Sequence, residues 1–499
     1  MDPTIDQLIK NGDHYKTIKN YEEMKKCYLK AIDLGDVDTM INLGTYYKDI
    51  EEDYHLMKKY YLMAVEKNNS NAMFQLGHYY KYTEINYEEM KKYYLMAINL
   101  GLIDAMYSLA DHYKDDENYE EMKKYYLMAV NLGDIDAMIS LAEYYEDVDN
   151  YEEMKKYYLM AIDLGDVDAM KNLAEHFKYD ENYEEMKKYY LMAIDLGDVD
   201  AMKSLAEYYK GFEEYEEMKK YYLMAIDLGN VHAMNSLADY YRDGKNYEEM
   251  KKYYLMAVDK DNYYAMYQLG NYYKYIEINY DLMKKYYNMT IDQHYYNVRS
   301  MIELGYYYQY IEKNYEEMKK YYLMAIEKCN VFAMFQLGHY YKNIEQDYVL
   351  MKKYYLMAID KGEHNSMLNL AIYYKNIEQN YDLMKKYYLM AIGKGNNHAM
   401  FQLGAYYQYI EINYDLMKEY YLMAIEKGNS YAMNNLGFYY RSIENRYDEM
   451  KKYYLMAIER GNKHAMFNLG FYYETIENNY DLMNKYYLMA IEKSNAMIN

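Results

Sequence analysis

The sequence predicts an all-α solenoid built from antiparallel helix pairs, and three observations carry that prediction. A twelve-residue segment of the form Tyr-Glu-Glu-Met-Lys-Lys-Tyr-Tyr-Leu-Met-Ala-Ile recurs fifteen times in 499 residues. Its first Tyr falls at Tyr21, Tyr54, Tyr87, Tyr119, Tyr151, Tyr183, Tyr215, Tyr247, Tyr280, Tyr315, Tyr348, Tyr381, Tyr414, Tyr447 and Tyr480. Apolar residues inside each copy follow a helical period and not a strand period. Finally, 83 Tyr and 45 Met stand beside one Pro and no Trp. That alphabet suits one short unit copied many times, because independent domains joined by linkers need Pro, Gly or Ser punctuation.

Along the chain, residues 1–20 hold a divergent half unit, with Asn11-Gly12 where other copies have Leu-Gly or Leu-Ala, and are expected to form a polar cap. Residues 21–279 form an acidic repeat array. The copy at Tyr119 shows its logic. A helix of about 21 Å runs from Tyr119 to Leu132, with Tyr119, Met122, Tyr126, Ala129 and Val130 on one face. Gly133 supplies the left-handed residue that ends it. Asp134 and Asp136 then cap a second helix whose apolar face is Ala137, Met138, Leu141, Ala142 and Tyr145. Neither helix can bury its face alone, so stacked copies must bury each other. Small residues (Gly44, Gly77, Ala110, Ala142, Gly338, Gly470) allow close approach, and Tyr and Met fill the space between.

The spacing between copies is 33 twice, 32 five times, 33, 35, then 33 five times. The 35 marks residues 280–314 as irregular. There Asn288 and Thr290 replace the usual Leu and Ala, and the capping Gly is missing before Asp292-Gln293-His294-Tyr295-Tyr296. A hinge is expected at this point, followed by a neutral, aromatic-lined array over 315–499. The helix after Tyr480, ending near Lys493, has no following partner and is expected to fray or self-associate.

Charge divides the chain. Residues 1–250 hold 52 acidic and 28 basic side chains, a net of −24, and residues 101–250 alone hold 36 and 15, a net of −21. The remainder holds 28 acidic and 29 basic, a net of +1. Phosphate binding needs clustered Lys and Arg, so nucleic acid is excluded as a partner and a basic protein is favoured. A hydrophobic content of 52% excludes a disordered acidic tail. Mean hydropathy of −0.64 and the absence of a long apolar run exclude a membrane span. No secretion signal is expected in Met1–Lys16, and Cys27 and Cys329, with no CxxC, are expected as free thiols in a reducing cytoplasm.

Ala105-x3-Leu109-Ala110-x2-Tyr113, followed by Met122-x2-Tyr125-Tyr126-x2-Ala129-Val130-x2-Gly133, resembles the Sel1-like repeat. Lys30 and Gly44 bring the copy at Tyr21 nearest to that pattern. Tyr stands where the family has Trp, Met replaces its first Ala, and the short unit also resembles the tetratricopeptide repeat. The resemblance implies a right-handed superhelix with a concave groove, serving as a protein-interaction scaffold. The Lys, Asn, Ile and Tyr bias is also similar to repeat proteins of giant DNA viruses, which would place the chain in a host cytoplasm.

Candidate chemistry is sparse. The pairs Asp36/Asp38, Asp134/Asp136, Asp166/Asp168 and Asp198/Asp200 precede helices and lack the Gly and distal Glu of a calcium loop, so they read as caps. The eleven His are scattered, with no metal-ligand spacing, and no nucleophile motif or phosphate loop is present. No catalytic residue, metal or cofactor is therefore expected. A hydrolase role, which the Sel1-like resemblance suggests for disulfide-rich members, fits poorly with two distant Cys.

The informative positions are those where otherwise similar copies differ. Just after the helix Met, and again four residues later, the first half carries Asp111, Glu143, Glu175, Glu207 and Asp239, whereas the later copies carry Phe335, His339, Phe401, Phe438, Phe467 and Phe471. The tetratricopeptide-like geometry places both columns on the concave surface. The expected function is a non-catalytic scaffold offering an acidic stretch and an aromatic groove to extended protein segments. The alternatives are a self-assembling structural component, joined through the C-terminal end, and extra packing as the only role of these columns.

Overall fold

The computed structural model describes residues 4–292 and 297–495, and among them it holds thirty α-helices and no strand. Every copy of the segment is a helix, as in Tyr119–Val130, Tyr183–Asp195 and Tyr381–Gly393. These will be called Tyr-led helices. An intervening helix lies between each two, such as Val37–Asp49 or Ile135–Asp147.

Local chemistry sets the boundaries. Asn118 accepts from the backbone N–H of Glu121, and Asn150 does the same for Glu153, so a recurring Asn starts the Tyr-led helices. Asp134, Asp166 and Asp198 accept from the N–H groups of Ala137, Ala169 and Ala201 at 2.7 Å each. The first Asp of each Asp-x-Asp pair is thus a cap, and the second lies in the first turn. Gly133 adopts φ +84° behind its helix, a conformation that disfavours any side chain.

Within each unit of the array, an intervening helix packs broadly on the Tyr-led helix that follows it and more narrowly on the one before. The natural hairpin therefore begins with the intervening helix, one helix out of phase with the order read from the sequence. Close approach decides this phase. A Cβ on Gly44 would lie 2.6 Å from a ring carbon of Tyr61, and one on Gly404 would lie 2.6 Å from Tyr421. The small residue is the seat for the tyrosine ring of its own hairpin. Ile5–Thr17 is likewise a hairpin partner for Tyr21–Asp33, with Gly12 seated against Tyr28. Its other face carries exposed Gln7, Asn11 and His14 where the next intervening helix has buried Thr39, Leu43 and Tyr46.

The core repeats from copy to copy, except in the last hairpin, where Met483, Tyr487 and Ala490 are only partly buried. Met122, Tyr126 and Ala129 are at most 1% exposed, and Leu141 and Ala142 are wholly buried. Tyr119 differs from its expected core role. It is 43% exposed and instead lays its ring against Tyr144 at 5.4 Å, while Tyr125 takes a buried place, stacked on Tyr113. The Tyr-Tyr pairs are thus packing elements that pass ring contacts from one helix to the next.

The chain divides into two compact units, Met1–Asn246 and Tyr247–Asn499. The first contains seven hairpins and the helix Val231–Asp243; the second contains Tyr247–Val258 and seven hairpins. The irregular segment 280–314 lies inside the second unit, and its residues 293–296 fall outside the described residues. On either side of them Thr290 and Ser300 occupy positions that hold Ala in most copies, and their hydroxyls bond to each other at 2.6 Å with both residues fully buried.

Candidate interaction surface

Hairpin geometry places the variable columns on one face of the intervening helices, above the seated tyrosine ring. In the first unit, the first-column residues Phe74 and Tyr107 pack on the rings of Tyr94 and Tyr126 at 5.7 and 5.4 Å. In the second unit Phe335 packs on Tyr355 at 5.9 Å, Phe401 on Tyr421 at 6.0 Å, and Phe467 on Tyr487 at 5.3 Å. Phe401 also meets Tyr431 at 6.1 Å, and Phe335 meets His339 at 6.2 Å.

Exposure then separates the candidates. Phe335 and Phe401 are half-buried, whereas Phe438 is 40%, Phe467 55% and Phe471 38% exposed. The Arg441 guanidinium sits 4.6 Å from the Phe471 ring centroid. Phe467 and Tyr487 line a cavity of about 610 Å³ together with His464, Ala490 and Ile491. Burial holds the His339 and His398 imidazoles below the usual histidine range, with the Lys342 charge adding to the effect at His339.

The acidic candidates serve two purposes. Asp111 and Glu175 accept the hydroxyls of the seated Tyr126 and Tyr190, and Asp239 accepts from Arg242 at 2.7 Å. Glu143 and Glu175 also converge with Glu146 and His176 on a concavity of about 530 Å³ in the first unit. His176 is 5% exposed there, with Nδ1 3.9 Å from Glu146 and Nε2 3.3 Å from Asp180. Glu207 is exposed and does not join this cluster.

The seated tyrosine hydroxyls reveal a third column that the sequence comparison missed. Tyr61 meets Thr45 at 3.0 Å and Tyr287 donates to Asn271 at 2.8 Å, both second-column partners. Tyr322, Tyr421 and Tyr487 instead donate to Gln309, Gln408 and Glu474, at 2.9, 2.6 and 2.8 Å. These acceptors lie one turn further along the intervening helix. The signal was present as a Lys/Gln/Glu alternation four residues after the small residue, but its partner lies 13 residues away in another helix.

The fold and this surface define the molecule as a helical-hairpin repeat array. No family model matches the chain, and no curated protein matches it in sequence. It is similar to solved repeat structures. One is a protective antigen of uropathogenic Escherichia coli strains displaying an SLR fold, at 19% identity over 88% of this chain and 94% of that one, with a TM-score of 0.43. A Sel1 repeat protein from Oxalobacter formigenes is 22% identical over 44% of this chain and 99% of its own, with a TM-score of 0.33. Yeast Tom70 is 14% identical over 91% of this chain and 96% of its own, with a TM-score of 0.31. Among the described residues no helix is long and apolar enough to cross a membrane.

Proposed function

We propose that the chain is a non-catalytic scaffold that holds extended protein segments along the intervening-helix face. The observation that carries this reading is the contrast between an unchanging core and a changing face. The core Met, seated Tyr and Leu are buried alike in the hairpins between the first and the last, while the variable columns turn from Asp and Glu to Phe. Packing alone gives no reason to leave Phe467 and Phe438 half in solvent, whereas aromatic anchors typically contribute about 2 kcal/mol or more to binding. The acidic face of residues 101–250 suits a basic partner. On this reading residues 1–20 cap the array, 21–279 and 315–499 are its acidic and neutral portions, 280–314 is the hinge between them, and a reducing cytoplasm is the setting.

The test is comparative capture with the full chain and with Phe467→Ala and Phe438→Ala. Specific partners should be lost from the variants while melting is unchanged, because exposed rings contribute little to stability. Partners retained by both variants would overturn the reading. A second reading, self-assembly, is favoured by the helix Tyr480–Asn495, where Tyr480, Leu488 and Ile491 are 61%, 59% and 56% exposed. Sedimentation that changes with concentration and is abolished by Leu488→Glu would support it.

A further inference from the structure

We propose that the concavity between Ile135–Asp147 and Val167–Tyr179 receives an arginine side chain of a basic partner segment, held by the Glu143 and Glu146 carboxylates. The proposal rests on the reading that the intervening-helix face is an interaction surface, and it names one point of contact on that face.

The third column supplies the argument. Four residues after the small residue, every copy in the first unit carries a Lys or Arg except one, where Glu146 stands. Lys178 and Arg242 use that position to pair with the second-column acid of their own helix, Glu175 at 3.0 Å and Asp239 at 2.7 Å. In Ile135–Asp147 the exchange leaves two acids one turn apart. Neither Glu143 nor Glu146 has a Lys or Arg within ion-pair distance among the described residues. Both are exposed, as are Asn172 and Glu175 on the facing helix, so a side chain arriving from solvent meets them directly.

The structure brings these groups to one place. Glu143, Glu146, Glu175 and His176 line the same space of about 530 Å³, with the Tyr151 and Tyr179 rings and the Tyr158 hydroxyl beside them. Burial, and then the Glu146 and Glu143 charges, push that hydroxyl above its ordinary value, so both carboxylates act on the same point.

An acidic cluster alone attracts any cation, and His176 makes this one specific. It is 5% exposed. Its Nδ1 stands 3.9 Å from Glu146, beyond hydrogen-bond reach, and its Nε2, 3.3 Å from Asp180, has no hydrogen-bond partner among the described residues. With its proton on Nε2, toward Asp180, the ring turns the Nδ1 lone pair to Glu146. Two acceptors then face each other, and an N–H placed between them donates to both. His112 holds the same place two hairpins earlier, with Nε2 3.4 Å from Asp116. There the counterpart of Glu146 is Lys81, and burial, with the Lys91 and Lys81 charges, holds the imidazole below the usual histidine range. Lys91 keeps a counterpart in Lys155, 5.2 Å from the Phe177 ring centroid. The Lys81 place has turned acidic.

Arginine suits this set better than lysine. A guanidinium is planar, carries five donors in a fixed fork and stacks on aromatic faces, so it can serve Glu143, Glu146 and His176 while lying against a tyrosine. Tyr151 is already fixed for that contact, because its hydroxyl donates to Asp149 at 2.8 Å and its ring packs on His176 at 5.0 Å. An ammonium is a compact, strongly hydrated point charge and gains less from such walls.

The experiment uses fluorescence anisotropy at physiological ionic strength, with the full chain and a short labelled peptide carrying one arginine among glycine, serine and leucine. Saturable binding is expected, weakened about 10-fold or more by Glu143→Gln with Glu146→Gln. Glu146→Lys, which restores the residue of neighbouring copies, should abolish it. The pair Glu207→Gln with Glu213→Gln removes the same charge outside the concavity and should leave affinity unchanged. The citrulline version of the peptide, alike in shape but neutral, should bind at least about 10-fold more weakly, and the lysine version should also bind more weakly. Absence of saturable binding, equal binding of the citrulline or lysine peptide, or equal weakening by the two glutamine pairs overturns the proposal. Such a failure beside partner loss in Phe438→Ala and Phe467→Ala removes this site and leaves the scaffold reading standing. Arginine binding here beside partners retained by those variants keeps the site and removes the aromatic groove.

Discussion

A seated tyrosine buries its ring against a glycine or alanine in each hairpin before the last, where Tyr487 is only partly buried, but its hydroxyl must find a partner separately each time. Where the partner exists the bond contributes about 1 kcal/mol. Tyr322→Phe removes the donor to the buried Gln309 and should destabilise its hairpin by roughly that amount. Tyr355→Phe removes a hydroxyl that bonds to nothing, so it should be neutral or stabilising. Hydrogen exchange of the flanking helices is the suitable measurement, because a repeat array need not unfold as one unit. Equal loss of protection in the two variants would contradict the assignment. The aromatic candidates were legible one by one in the sequence. Which of them lean on a buried tyrosine and which remain in solvent was not.

At the level of helices, the irregular segment repairs its own departures. Thr290 and Ser300 replace two alanines that are buried in other copies; the Thr290 hydroxyl meets both the Tyr287 carbonyl and the Ser300 hydroxyl, and both residues are fully buried. Thr290→Ala and Ser300→Ala should each cost about 1–2 kcal/mol, and the double variant less than the sum, giving a coupling of about 1 kcal/mol in urea or thermal unfolding. Additivity would show that the hydroxyls are not coupled. Ser366 sits at the same position as Ser300 with its hydroxyl unpartnered, so Ser366→Ala offers a control expected to be neutral or stabilising. The 35-residue spacing announced an irregularity here. The mutual bond was hidden, because ten residues separate its members and each substitution alone looks like a defect.

Across the whole molecule, the difference between 32- and 33-residue spacing has an energetic content. The longer copies place a Glu after the intervening helix, where it joins a Tyr of that helix to a Lys of the Tyr-led helix before it. Lys352 and then Tyr373 hold the Glu378 carboxyl below its ordinary value of 4.5, and Tyr406 and then Lys385 do the same for Glu411. A carboxyl whose folded value is lowered contributes stability that is present above 4.5 and is lost as the pH falls through the lowered value. Each side chain is partly exposed (34% and 40%), so screening reduces the contribution to a few tenths of a kcal/mol. Melting of the second unit, where such copies dominate, should therefore fall with pH below 4.5, and less steeply in a Glu378→Gln, Glu411→Gln variant. In residues 101–250, with their net of −21, the first protonations relieve repulsion and should oppose acid destabilisation. Acid titration of the full chain followed by calorimetry checks both signs.

The sequence by itself determined the helices, their caps and the buried stripe. These depend on neighbours three or four residues away, and period, Asn and Asp caps, and terminal glycines record them directly. Only the tertiary structure decided that the intervening helix leads each hairpin, because the choice turns on a Gly or Ala receiving a ring 16 or 17 residues later, as Gly44 receives Tyr61. It also decided which polar atoms are left over. Lys274 and Lys342 look alike in a repeat alignment, yet one meets Glu303 and the other Asn369, 29 and 27 residues onward. A residue's role in a stacked array is set by what the next copy places opposite it, and that pairing exists only once the copies are packed.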